Sequence, residues 1–480
     1  MQKIVLIGGS FNPIHLGHLK LISLACQLKD VSKVILMPAY CSPFKQQSEQ
    51  VAACYRWQLI DLAFEDLLDL EQDFSYISKT EQEQIKEFYQ AKRLEILDWE
   101  IKANEPSYTW HTLEKLQTLY SECELVLLGG SDLLKDFERW YQVEKILKVA
   151  TLFVVSRPHY MQAASSLRDK LVSKYKARIE LMNVDMPDIS SAELRTELKS
   201  VPYAQAYSLI ASEINNYYNL PDLKEIMPNL QANFLSKNEL AFIAQNRLYQ
   251  QPNLSSILSE ETIRFVNRLI NYNLQNLPWK RQSHCLNVMY FAFTLLIAKY
   301  QIEAKKAINL SEIKRILEAP WLNFANINLT DEQKQTCEEV VIAGLFHDAC
   351  KYSQLSNYKE VEAKLTEEDI NSKIEHGPIA AHVLAKEFGC TNRTIIEAVY
   401  YHTTLRAQAT LVDKLVYLAD KLEFGRTYND VVSLRASLAL GYDETVKRVL
   451  RATTKLLESK QQHAHSLSLE ALADLEEERN

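Results

Sequence analysis

Residues 4–28 constrain the fold more than any other stretch of this chain. The apolar run at 4–7 leads into Gly8-Gly9-Ser10-Phe11-Asn12-Pro13-Ile14-His15-Leu16-Gly17-His18, and an amphipathic segment, 19–28, follows. That pattern is a strand, a glycine turn and a helix start carrying two histidines three residues apart. Such a turn brings backbone N–H groups and imidazoles up to a phosphate. It is not a Walker loop, because no G-x-x-x-x-G-K-[ST] occurs in the sequence.

The chain has only ten glycines in 480 residues. Average usage is about 7%, so each remaining glycine is a candidate for a place where a Cβ would not fit. Eight of the ten (Gly8, Gly9, Gly17, Gly129, Gly130, Gly344, Gly377 and Gly425) lie inside the motifs that follow.

The length suggests two or three domains. With 47% apolar and 24% charged residues, the chain has ample core material. A net charge of −8 argues against nucleic acid as the main partner. The eight cysteines form no C-x-x-C pair and read as reduced thiols of a cytoplasmic protein. Met1 lies so close to the first strand that no signal peptide is expected. The apolar run 288–298 falls short of the ~20 residues that span a bilayer, so a buried helix is expected and no membrane partner. The oligomeric state is not legible.

Residues 1–215 alternate strand and helix, with strands expected at 4–7, 34–37, 125–128, 152–155 and 178–182. The expected fold is an α/β, Rossmann-like parallel sheet. The charged stretch 67–93 reads as a helical insertion. A helical connector is expected over 216–253. Residues 254–460 then read as an all-α domain of successive amphipathic helices, with an excursion at 302–335. Residues 461–480 read as a polar tail, frayed or a solvated helix.

More signals follow the opening turn in order. Pro43-Phe44-Lys45 follows the second strand, and Arg56 sits on the next helix. Pro106-Ser107-Tyr108-Thr109 precedes a helix, and Gly129-Gly130-Ser131-Asp132 closes a strand with Trp140-Tyr141 behind it. Arg157-Pro158 ends another strand, and Ile189-Ser190-Ser191 through Arg195 opens a helix. Together these motifs resemble the bacterial nicotinate-nucleotide adenylyltransferase family over about 215 residues. The resemblance implies that His15 and His18 contact the phosphates of Mg2+-bound ATP as catalytic groups. It implies that Lys45, and Arg195 with the Ser190–Ser191 helix start, hold the β- and γ-phosphates. Asp132 would bind the adenosine ribose, Trp140 would stack on the pyridine ring, and backbone groups near Thr109 and Tyr141 would take its carboxylate. Gly8, Gly9, Ser10, Phe11, Arg56 and Arg157 complete the implied substrate contacts. Nicotinate mononucleotide would attack the α-phosphate in line, with the protein supplying positioning and positive charge. Asn12 stands where the family often has Asp, and Phe44 replaces a His. His111 and His159 read as structural or exposed.

The helical half carries Arg281-Gln-Ser-His284, Gly344-Leu-Phe-His347-Asp348-Ala-Cys-Lys351, Glu375-His376-Gly377-Pro378, Tyr401-His402-Thr403-Thr404 and Asp420-Lys-Leu-Glu423-Phe-Gly-Arg426. Imidazoles and carboxylates dispersed over several helices suit a dimetal site for Fe, Mn, Co or Zn. The absence of Cys from the set argues against structural zinc. These contexts resemble the HD superfamily, and within it the YqeK-type enzymes that split diadenosine tetraphosphate into two ADP. The resemblance implies that His284, His347, His376, His402 and Asp420 are terminal metal ligands, with iron the expected metal, and that Asp348 bridges two ions. Lys351, one turn past the HD pair, and Arg426 would hold phosphate. Phe424 stands where the family often has Pro. His382 points to another helix face, and His463 and His465 read as tail residues. Three alternatives remain at this stage: another nucleotidyltransferase of the same fold, an HD phosphohydrolase for other nucleotides, and a nucleotide-sensing HD module without turnover.

Overall fold

The computed structural model describes residues 1–43, 50–156, 161–199, 234–305 and 328–477. Its described residues form two compact units, one within the first 242 residues and one from Ile243 onward.

The first unit is built on six parallel strands: β1 (Lys3–Gly9), β2 (Val31–Pro38), β3 (Leu94–Ile96), β4 (Glu124–Gly130), β5 (Ala150–Ser156) and β6 (Ile179–Asn183). Their spatial order is 3-2-1-4-5-6. The helices are α1 (Leu16–Gln27), α2 (Ala53–Leu68), α3 (Lys79–Gln90), α4 (Trp99–Ala103), α5 (Thr109–Leu119), α6 (Asp132–Lys135), α7 (Val143–Val149), α8 (Met161–Tyr175) and α9 (Ser191–Lys199), and α10 (Lys237–Gln245) runs across the division between the units. Strand order reverses between β1 and β4, which is where open α/β sheets bind ligands. Both of these strands end in a glycine pair, Gly8-Gly9 and Gly129-Gly130. Their register pairs Lys3 with Glu124 and Leu6 with Leu127, so the two glycine turns leave the sheet at the same level.

All five expected strands form, and the expected fold class holds. The sixth, β3, was not anticipated, and it changes the meaning of 67–93. Helices α2 and α3 both lie between β2 and β3, so the stretch is helical as expected and delivers the chain to the added strand. Ser78 and Glu81 form a capping box at the start of α3. The Glu81 carboxylate also accepts from Lys20 Nζ (2.8 Å), Ser23 Oγ (3.0 Å) and Gln27 Nε2 (2.8 Å), which pins α3 to α1.

The second unit is helical: α11 (Glu260–Asn276), α12 (Trp279–Lys305), α13 (Asp331–Phe346), α14 (Lys359–Glu362), α15 (Glu367–Asn371), α16 (His376–Lys386), α17 (Arg393–Tyr401), α18 (Leu411–Leu422), α19 (Val431–Ala436), α20 (Tyr442–Ser459) and α21 (Ser466–Glu477). Helix α12 is long and apolar enough to cross a membrane, but 72% of its most apolar window is buried inside the protein. It is the central core helix, as its apolar run suggested. Of the expected connector, residues 216–233 lie outside the described residues, as do residues 306–327 of the expected excursion.

The tail departs from expectation. Residues 466–477 form α21, which is docked. The Ser466 hydroxyl donates to Glu368 Oε2 (2.6 Å), Ser468 donates to Thr404 O (2.8 Å), and Asp474 accepts the Gln408 N–H (2.8 Å). His465 is buried and pairs with Asp369 at 3.0 Å. The apolar positions that seat this helix, Ala471 and Leu475, are few and sit among charges, so the sequence read as solvated.

Candidate active sites

In the first unit the chain leaves β1 and turns into α1 through His15, which caps the helix. His15 Nδ1 accepts the Gly17 N–H (3.2 Å), and His18 Nδ1 accepts the His15 N–H (3.2 Å), a capping box made of two imidazoles. A nitrogen that accepts a backbone N–H carries no proton, so in both rings the proton sits on Nε2. The rings lie 3.9 Å apart, centroid to centroid. The geometry thus fixes two N–H donors on neighbouring rings at the end of the strand. Gly17 packs closely here, since a Cβ would lie 3.0 Å from the His15 ring and press on it.

Helix α9 closes on the same turn. The Ser191 hydroxyl donates to Pro13 O (3.0 Å), and Arg195 Nη1 donates to Asn12 O (3.0 Å). Ser190 makes a capping box with Glu193, so its hydroxyl already serves the helix start. Arg56 needs correcting as a substrate contact. It is 1% exposed, and its guanidinium donates to Ser10 O (2.6 Å), Ala39 O (2.7 Å), Tyr40 O (3.0 Å) and Val51 O (3.2 Å). It braces the turn against the end of β2. Lys45 and Arg157 lie outside the described residues, as do Phe44 and His159.

The second glycine turn leads into α6, which begins at the exposed Asp132. Trp140 is half-buried against Phe137, with ring centroids 4.9 Å apart. Thr109 is the first residue of α5. Before it, the Tyr40 N–H donates to Ser107 Oγ (2.9 Å) and the Ser107 N–H to Cys41 O (2.8 Å), tying this segment to the end of β2.

In the second unit, His284 on α12, His347 and Asp348 at the end of α13, His376 on α16, His402 at the end of α17 and Asp420 on α18 come together. Each is less than a tenth exposed. The His347 and His402 Nδ1 atoms lie 2.8 Å from Gly344 O and Val399 O, and His284 Nδ1 lies 3.1 Å from the Glu423 carboxylate. These partners only accept, so the Nδ1 atoms carry the protons and the Nε2 lone pairs face inward.

The lone pairs meet carboxylates and one another. His284 Nε2 is 3.1 Å from Asp420 Oδ1 and 3.3 Å from His347 Nε2. His376 Nε2 is 3.1 Å from Asp348 Oδ1 and 3.2 Å from His402 Nε2. The two Asp348 oxygens divide the site, Oδ1 towards His376 and His402, and Oδ2 towards His284 and His347 at 3.8 Å each. Asp348 Oδ1 is buried without a hydrogen-bond donor. Buried acceptors crowded this way are costly unless cations lie among them. Two groups here, His284–His347–Asp420 and His347–Asp348–His402, have ligand atoms within 4.8 Å of one another. The donor set fits two divalent ions. Gly377 allows the approach of α16 to α17, since a Cβ there would stand 2.6 Å from Tyr400 O.

Cations surround the ligands. Arg281 Nη1 lies 2.7 Å from Asp348 Oδ2, and Lys351 Nζ lies 2.9 Å from His376 Nε2. Lys421 Nζ and Arg426 Nη2 each lie 2.6 Å from an Asp420 oxygen. Burial pushes the Asp420 carboxyl up, but the charges of Lys421 and Arg426 outweigh it and hold the group well below the usual range.

Comparison with known proteins matches residues 6–197 to a cytidylyltransferase-like family and residues 281–425 to the HD domain. A probable nicotinate-nucleotide adenylyltransferase of Caldicellulosiruptor bescii is 33% identical over 206 residues, which are 42% of this chain and 91% of that protein. The chain belongs to the nicotinate-nucleotide adenylyltransferase family. It joins that nucleotidyltransferase to an HD domain. A Mycoplasma genitalium protein described as a probable nicotinate-nucleotide adenylyltransferase/Ap4A hydrolase is 23% identical over 428 residues and matches 88% of both chains. Among solved structures, a predicted HD superfamily hydrolase from Clostridium acetobutylicum aligns with 44% of this chain and 97% of its own, at 25% identity and a TM-score of 0.35.

Two groups of this adenylyltransferase–HD chain had no role assigned from sequence. Glu423 orients His284, and Arg281 covers Asp348. Both lie three residues from a ligand on a helix or its end, the spacing that puts side chains on one face. His382 faces the Tyr358 ring, 6.2 Å away, and is not among the groups gathered around Asp348.

Proposed function

We propose that the first unit transfers AMP from ATP to nicotinate mononucleotide, and that the second hydrolyses diadenosine tetraphosphate to two ADP. The observation that carries the first half is the pair of neighbouring imidazoles at the sheet's switch point, whose Nδ1 atoms are taken up by the α1 cap and whose protons therefore sit on Nε2. They would donate to the α-phosphate as it becomes five-coordinate, with Arg195 and, by resemblance, Lys45 drawing the β- and γ-phosphates. Mg2+ would enter with ATP. Trp140 and Tyr141 would hold the pyridine ring, and Asp132 the ribose. Preorganised donors of this kind act on charge that develops in the transition state.

For the second half, the ring of Arg281, Lys351, Lys421 and Arg426 around three carboxylates supports a polyphosphate substrate. His284, His347 and Asp420 would hold one divalent ion and His376 and His402 the other, with Asp348 between them; iron is the proposed metal. Such ions screen phosphate charge and make a water acidic enough to attack. Arg281, Lys351 and Arg426 would keep the phosphate chain aligned. A cytoplasmic setting suits both reactions.

The test incubates the full chain with ATP and nicotinate mononucleotide, and separately with diadenosine tetraphosphate, with and without added Mn2+ or Fe2+. Mass spectrometry is expected to find nicotinate adenine dinucleotide with pyrophosphate in the first mixture and ADP alone in the second. AMP plus ATP from the tetraphosphate would refute symmetrical cleavage, and absence of the dinucleotide would refute the acceptor.

A further inference from the structure

Three rings meet beside the expected acceptor contacts, and one of them, His111, has no role assigned by motif. Tyr108, just before α5, lies 5.1 Å from the Tyr141 ring at 54°. His111, on the first turn of α5, stands edge-on to Tyr141 at 5.6 Å and 82°, and 5.8 Å from Tyr108 at 63°. His111 is exposed, and so is Tyr141, at 47%.

The two sides of this contact are held very differently. The α5 side is anchored, because Ser107 is bonded in both directions to the end of β2. On the other side, Trp140 is seated on Phe137, whereas Tyr141 lies between it and Gln142, whose φ of 58° breaks the chain direction before α7. The ring contacts with Tyr108 and His111 therefore fix where Tyr141 stands. Edge-to-face packing of this kind is directional, which makes it suited to setting a ring's position.

We infer that His111 is a positioning residue for the acceptor: its ring clasps Tyr141 to α5 and so shapes the place where the pyridine ring of nicotinate mononucleotide is bound. This rests on the acceptor proposed above. The pyridine ring of that mononucleotide is a pyridinium cation, which aromatic faces attract, so the setting of Tyr141 bears on acceptor affinity and not on ATP. A histidine here is read as structural from sequence, and the structural contact is what gives it a role.

Steady-state kinetics of His111→Ala and His111→Phe against the unaltered chain test this. His111→Ala is expected to raise KM for nicotinate mononucleotide about tenfold, with kcat, KM for ATP and Tm little changed, and His111→Phe is expected to recover most of the loss. An unchanged KM for the acceptor in His111→Ala overturns the inference, as does an equal rise in KM for ATP or a lowered Tm that accounts for the loss. If the unaltered chain does not turn over nicotinate mononucleotide, the acceptor assignment fails instead, and that outcome is read before any variant is made.

Discussion

The two sites organise charge in opposite ways. The first is made mostly of backbone: two imidazoles locked by N–H groups, a helix start, and two glycine turns at the end of a parallel sheet. Its described side chains are held by donating to or accepting from carbonyls and amides. The second is made of side chains whose acceptors face one another at 3.1 to 3.8 Å in a buried space. Its lone pairs call for cations from outside. A site meant for a mobile phosphate chain can be preformed by hydrogen bonds. A site suited to divalent metal gathers buried carboxylates and imidazole lone pairs in one place and leaves at least one of them, Asp348 Oδ1, without a donor.

The comparison is tested most severely at Asp348, whose two oxygens face the two pairs of histidines. Asp348→Ala is expected to abolish bound metal and cut phosphohydrolysis by more than roughly a hundredfold, beyond the range for losing a group that merely orients a ligand. Metal content per chain and ADP release check it, and adenylyl transfer should be untouched. Hydrolysis that survives would remove the distinction between the sites.

His18→Ala is expected to lower pyrophosphate release from ATP and nicotinate mononucleotide by roughly 10²-fold, the size seen when one preorganised donor is lost. Tetraphosphate hydrolysis should stay level in the same preparation. A fall in both activities would mean the variant damages folding rather than the site.

The smallest expected effect concerns Glu81. Burial pushes its carboxyl up, but the bonds from Lys20, Ser78, Gln27 and Ser23 outweigh this and bring it down to about 2. A group lowered on folding contributes stability above its unfolded value, near 4.3, and loses it as pH falls towards 2. Glu81→Gln should therefore flatten the acid limb of Tm against pH over that window. Because the pair with Lys20 is partly exposed, the effect at neutral pH is at most about 1 kcal/mol. An unaltered acid limb would show that α3 does not depend on this carboxylate.

Much of both sites was legible because their signals are local or strongly typed. Five strands announce themselves as apolar runs, and an H…HD…H…H…D series on separate helices has few uses. What was not legible depends on partners far away in sequence. β3 is three residues, Leu-Glu-Ile, and has no periodicity to read. Arg56 resembles any helix arginine until Ser10, Ala39 and Tyr40 fold their carbonyls around it. Glu423 sits among ordinary charges, and only the fold brings His284 to it. The docking of α21 rests on polar bonds to Glu368, Thr404 and Gln408, which no amphipathic stripe encodes.

The imidazole cap on α1 carries one more consequence. Helices are usually started by small oxygen-bearing side chains, which do that job at least as well as a histidine. At position 15 the chain uses a bulkier ring, whose Nδ1 makes the cap and whose Nε2 carries the proton. On the proposed mechanism one residue answers to two demands, the helix start and the phosphate donor. An Asp or Ser at position 15 would keep the helix start and silence the donor. With His15 acting as proposed, engineering this domain for heat resistance by the usual cap improvements would trade away turnover at this residue.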